Sequence, residues 1–220
     1  MEAIPDTSSS YQVGEIRIVR IVIYAPFEIV LNFHPPQQSV PSTSVPSTTS
    51  VKSSRGKRRP CIVMEIDKWG GNPKICLMAT LGGTELSAMP TVWQHFCIVV
   101  DPPVNHDGDS VRIFPPMTPE EGRISYAVAL PFTPKQRVGR PFDQLTDDSG
   151  QKTSRRLASD GMDRFRDTCE RLLRRWQQLE EADPGFRDRA FKEFQDNWTA
   201  EKAKHEGKKK DGNVPPQSES

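Results

Sequence analysis

From Tyr11 to Phe132 the apolar residues arrive in short β-branched runs, each closed by a Gly, Pro or Asn turn, and no helical period separates them. The first run, VGEIRIVRIVIYAPFEIVLNF, reads as strand, with Pro26 marking a break or an edge. CIVMEI and KICLMATLGG, joined through the GGNP turn after Trp69, read as a hairpin. HFCIVVD, from His95 to Asp101, predicts a further strand closed by Pro102 and Pro103, and VRIF and RISYAVALPF supply the last ones. Short strands in this number, with no helix between them, predict a small β-barrel or a sandwich.

Two segments interrupt or follow that pattern. HPPQQSVPSTSVPSTTSVKSSRGK is dominated by Pro, Ser and Thr, so residues 35–56 read as a disordered insertion between two strands. Residues 137–158 replace the apolar pattern with Gly, Asp, Ser, Thr and Lys and read as a linker. Beyond it the period changes. Met162, Phe165, Cys169, Leu172, Leu173, Trp176 and Leu179 recur at three- and four-residue steps, and after Asp183-Pro184-Gly185 so do Phe186, Ala190, Phe191, Phe194 and Trp198. The reading is therefore mainly β with an α tail: a β-barrel domain over 11–136, an amphipathic helical hairpin over 159–204 and a disordered tail over 205–220.

The chain has 220 residues, enough for one core of ordinary size with decoration, and its 35% hydrophobic content is low enough that much of it lies outside a core. Thirty Lys and Arg against 29 Asp and Glu leave a formal net charge of +1, so a nucleic acid would have to be attracted by a local patch. No apolar stretch is long enough to span a membrane, and Met1 to Tyr11 lacks the basic and apolar regions of a secretion signal. A cytoplasmic protein is the expectation, with the nucleus left open. The four cysteines, Cys61, Cys76, Cys97 and Cys169, form no C-x-x-C pair, and the four histidines are scattered. Neither a metal nor another cofactor is expected.

Arg55, Lys57, Arg58 and Arg59 cluster just before the strand that opens at Pro60. An arginine held there would offer its planar fork to a phosphate while its neighbours attract a polyanion. A solubilising linker end or a nuclear-import tag is the plainer reading of the same residues. One strand later Thr80, Gly82, Gly83 and Thr84 end an apolar run, as an anion-binding turn or as a simple strand terminus. Trp69 and Trp93 lie near strand ends, where an aromatic either stacks on a base or fills the core. Arg155 and Arg156 precede Ser159 at a helix start, a short pattern compatible with phosphorylation.

In order and residue type these pieces resemble the PemK/MazF family of toxin endoribonucleases. The resemblance runs from Val13 to Phe132: Gly14, Glu15 and Ile16 open the first strand, a variable loop follows, Arg59 and Pro60 enter CIVMEI, and KICLMAT ends on Thr80. It implies an SH3-like β-barrel that cleaves single-stranded RNA without a metal, the ribose 2′-hydroxyl attacking the adjacent phosphate. Carried over, Arg59 would act on the phosphate and leaving group and Thr80 would hydrogen-bond the phosphoryl oxygens; Arg55, Lys57, Arg58, Trp69 and Thr84, from their own chemistry, are the RNA-binding candidates beside them. A homodimer is also implied. The enlarged Pro/Ser/Thr-rich loop, the Gly-Gly after Thr80 and the helical tail depart from the family pattern. The competing reading is a non-catalytic protein-interaction module, with partners docking on the C-terminal helices.

Overall fold

The computed structural model describes residues 11–31, 56–102, 108–117, 123–143, 145–146, 150–158 and 160–211, with side chains described as far as residue 200. The insertion over 35–56, apart from Gly56, and the tail beyond Asp211 therefore lie outside the described residues, as do Arg55 and Ser159.

The elements in chain order are β1 (Ile16–Ile21), α1 (Ala25–Leu31), β2 (Lys57–Glu65), β3 (Lys74–Ala79), α2 (Thr91–Phe96), β4 (Cys97–Val100), β5 (Ser110–Val111), β6 (Ile113–Phe114), β7 (Ser125–Val128), β8 (Val138–Pro141), β9 (Leu145–Thr146), β10 (Lys152–Thr153), β11 (Arg156–Leu157), α3 (Gly161–Ala182) and α4 (Phe186–Asp211). Seven strands form one sheet in the order β5-β4-β7-β3-β2-β1-β8, with β4 and β5 parallel and the other pairs antiparallel. Among the described residues no pairing joins the edge strands β5 and β8, so closure into a barrel is not seen. The molecule is a mixed α/β protein with C-terminal helices, rather than β throughout its first part.

The expected hairpin forms: β2 and β3 pair with Cys61 opposite Leu77 and Val63 opposite Ile75. Cys61 to Met64 and Ile75 to Met78 are all buried, which is why both strands read as continuous apolar runs instead of alternating. Two short helices replace expected strand. After Ile21 the first run turns into α1, with Pro26 in its first turn, where a missing N–H costs nothing. Its buried Pro26, Phe27, Val30 and Leu31 fall at helical spacing, hidden in sequence by the β-branched residues around them. Likewise His95 and Phe96 close α2, and strand begins only at Cys97.

The segment 137–158 is more than a connection. It contributes β8, which pairs with β1, and β11, which pairs with β6. Val138 and Leu157 are its buried apolar residues, too few to register as a hydrophobic pattern. Arg155 is buried as well, donating to the carbonyls of Pro115 and Pro116 and pairing with Asp143 at 3.2 Å. It is thus committed to the fold rather than displayed beside Ser159.

The C-terminal helices use their apolar stripes within the molecule. Phe165, Cys169, Leu172 and Trp176 of α3 and Ala190 and Phe194 of α4 are buried. Phe194 meets Tyr24 and Phe27 at ring-centroid distances of 5.3 and 5.7 Å, and Phe27 in turn packs on Trp93 at 4.6 Å. Trp176 meets Phe96 at 5.3 Å and Phe186 at 4.8 Å, so α1, α2, α3 and α4 converge on one aromatic core. α4 continues to Asp211, past the hairpin end read at residue 204. No helix among the described residues is long and apolar enough to cross a membrane.

Candidate functional site

The basic cluster takes its position from β2. Gly56 lies so close to the end of β1 that a Cβ there would sit 2.2 Å from the carbonyl carbon of Ile21, so only glycine fits, and the following residues are held in register. Lys57, Arg58 and Arg59 then stand directly opposite Ile21, Arg20 and Val19. Lys57 and Arg58 are exposed and Arg59 is half-buried. Alternation along the strand turns Arg59 to the face of Cys61 and Val19, and Arg58 to the other face with Arg20.

Pro60 shapes the site. It has no N–H to give, and the β2–β3 ladder stops at Cys61 and Leu77, while along its other edge β3 pairs with β7 through Met78 and Ala79. Because the pair is antiparallel, the start of β2 and the end of β3 lie at the same end of the sheet. Arg59 and Thr80 therefore lie at a break in pairing, a notch in the ladder, each beyond its last paired residue there. Thr80 is exposed.

Arg59 is chemically unfinished in this setting. Its Nε is buried and has no hydrogen-bond partner among the described residues. Burial lowers the guanidinium pKa from its ordinary value, and nearby Tyr24 partly offsets this. An arginine remains charged through such a shift, so a buried donor is left at the notch without an acceptor.

The other sequence candidates distribute differently. The amides after Thr80 are used locally: Gly83 N–H donates to the Thr80 carbonyl at 3.1 Å and Thr84 N–H to the Leu81 carbonyl at 3.1 Å. The Gly-Gly turn thus satisfies itself and presents the exposed Thr84 hydroxyl without those two amides. Trp69 is 94% exposed but lies in the β2–β3 turn, at the opposite end of β2, about 20 Å along the strand from Arg59. It borders a shallow concavity of about 360 Å³ with Glu65, Asp67, Lys68 and Lys74. Trp93 is 1% exposed and belongs to the core.

A residue that sequence reading passed over is Arg20, which sits directly opposite Arg58 and is exposed. Its signal is its position as the polar member of IVRIVI, on an otherwise buried strand. A second concavity, of about 460 Å³, lies between α2, β4 and α3, lined in part by His95, Cys97, Asp109 and Arg175. His95 is occupied there, its Nε2 2.8 Å from the Leu172 carbonyl.

The fold and site together define a mixed α/β protein with a basic cluster at one end of its sheet. Compared with protein-family models, curated proteins and solved structures, the chain gives no match.

Proposed function

We propose that the protein binds single-stranded RNA at the notch between β2 and β3 and cleaves it without a metal, in the manner of the PemK/MazF endoribonucleases. In this reading the sheet is a divergent, opened relative of their SH3-like barrel. Arg59 would stabilise charge on the phosphate and leaving oxygen, and Thr80 would donate its hydroxyl to a phosphoryl oxygen. Lys57 and Arg58 would hold the flanking backbone. The observation that carries the reading is the buried, unpartnered Nε of Arg59 beyond the end of the β2–β3 ladder, at the end of the sheet where Thr80 also lies. A preorganised donor of this kind aimed at developing charge contributes about 3–4 kcal/mol to lowering a barrier.

The C-terminal helices favour this reading over a protein-docking module, because their stripes already cover the sheet and α1. The test is a gel assay of the full chain against a mixed single-stranded RNA in EDTA, beside Arg59→Ala and Thr80→Ala. Cleavage by the wild type that falls at least a hundredfold in each variant supports the assignment. A folded wild-type protein that leaves the RNA intact ends the ribonuclease reading, and equal activity in the variants moves the site elsewhere.

A further inference from the structure

At the end of the sheet near the notch, Arg20 and Arg58 of two adjacent strands stand opposite each other, and Arg137 immediately precedes the next strand, β8. Arg20 of β1 is directly opposite Arg58 of β2. On the other side of β1, Val19 pairs with Val138 of β8, and both valines are 1% exposed. The next residues toward the same end are Arg20, which alternation turns to the opposite face, and Arg137, just before β8; both are exposed. With neighbouring strands about 4.8 Å apart, the backbone positions of Arg137, Arg20 and Arg58 span about 10 Å across the sheet.

Like charges set directly opposite on a sheet destabilise it unless something compensates. Elsewhere the fold supplies compensation: Arg164, Arg166, Arg171, Arg174, Arg187 and Arg189 of the C-terminal helices each have a carboxylate partner. Arg137, Arg20 and Arg58 have none among the described residues. The repulsion is left for a ligand to relieve. With a net charge of +1 on the whole chain, this row is a local feature and not a general excess of base.

We propose that Arg137, Arg20 and Arg58 form a phosphate track that carries the backbone of a single-stranded nucleic acid past the ends of β8, β1 and β2, on the sheet face opposite Arg59, toward the notch. The inference rests on the RNA reading of that notch and adds Arg20 and Arg137 as binding residues. A chain bearing one negative phosphate per residue matches an evenly spaced row of guanidinium forks, each of which takes a phosphate in bidentate fashion. The track reads backbone charge and not the ribose hydroxyl, so it accepts RNA and DNA alike.

The experiment measures binding of a fluorescent oligouridylate and an oligothymidylate of the same length to the full chain at several salt concentrations. Three phosphate contacts give a log–log slope of about −2 from this row, at about −0.7 per phosphate. Arg20→Gln/Arg137→Gln is expected to bind at least tenfold more weakly at low salt and to lose about 1.4 from the slope. Arg164→Gln, on α3, is expected to leave both unchanged. Equal binding by wild type and the double variant, matched in thermal melting, overturns the track. So does no binding by the wild type, or stronger competition by polyglutamate than by either oligonucleotide. Weaker binding in the double variant without RNA cleavage by the wild type keeps the track and removes the ribonuclease. Cleavage with unaltered binding in the double variant does the reverse.

Discussion

Arg17 Nε lies 2.7 Å from Glu15 Oε2 inside the molecule, with side-chain exposures of 4% and 8%. The pair sits at the start of β1, where residues two apart share a face. Arg17 also donates to the Gly139 carbonyl at 3.1 Å and stacks 4.8 Å from the centre of the Tyr11 ring, so the one side chain ties β8 and the chain start to the sheet. Removing one member strands the other as a buried charge. Glu15→Gln or Arg17→Met should each cost about 3–5 kcal/mol, and the double variant should recover much of that loss. Chemical denaturation of the four proteins measures it; additive single losses would show that the two charges are not coupled.

The burial of His95 makes stability depend on pH. Burial lowers the His95 pKa below its usual value, and the nearby Arg175 charge adds to this, against the opposing hydrogen bond to the Leu172 carbonyl. The folded state thus holds a neutral ring, while the unfolded chain takes up a proton near pH 6.5. The unfolded state binds more protons in that window, so stability falls as pH drops below about 6.5 toward the lowered folded value. The melting temperature should fall between pH 7.5 and 5.5 and fall less in His95→Gln. A variant with the same pH dependence as the wild type would assign the effect to other groups.

Docking of α4 depends on Phe194, which is fully buried against Tyr24 and Phe27. Phe194→Ala should destabilise the protein by about 3–5 kcal/mol, with amide exchange in α4 rising more than in β2 and β3. Uniformly faster exchange would mean that α4 and the sheet unfold as one unit.

All four thiols are free and buried. Burial pushes the Cys61 thiol up to about 12, and it raises Cys76 and Cys97 as well. With so little thiolate at neutral pH, iodoacetamide should label the native protein slowly and all four cysteines readily in guanidinium. Rapid native labelling, located by peptide mapping, would identify a cysteine that opens to solvent.

Trp69 stands apart from the notch and touches little. Trp69→Ala should change stability by less than about 0.5 kcal/mol and leave RNA cleavage as it is. Iodide should quench its emission more than that of the half-buried Trp198, with Trp93 and Trp176, each 1% exposed, shielded. A loss of RNA affinity in this variant would extend the RNA path along the whole of β2.

Residues with a repeating local signature were legible in the sequence. The stripe of α3 appears in its central residues, with Phe165, Cys169, Leu172 and Trp176 buried, because a helix buries at a fixed spacing whatever it packs against, whereas Leu173 and Leu179, read into the same stripe, are exposed. The β2–β3 hairpin was equally plain from two apolar runs around a Gly-Asn-Pro turn. α1 was not, because its seven residues continue a β-branched run, and β8 was not, because its inward anchor is the single residue Val138. For the candidate site, sequence indicated Arg59, Pro60 and Thr80 by residue type. It separated neither Arg58 from Arg59 by face nor Trp69 from the notch by distance.

The sequence by itself determined which segments bury apolar surface, where the long helices run and that basic residues gather before Pro60, since these follow from the order of side chains along the chain. Only the tertiary structure decided that Arg20 faces Arg58, that Arg137 reaches the same end from a segment over a hundred residues away, and that the β2–β3 ladder stops short of Pro60. Strand order and register arise from long-range pairing, and a one-residue slip would turn every side chain to the other face. No local pattern encodes that choice.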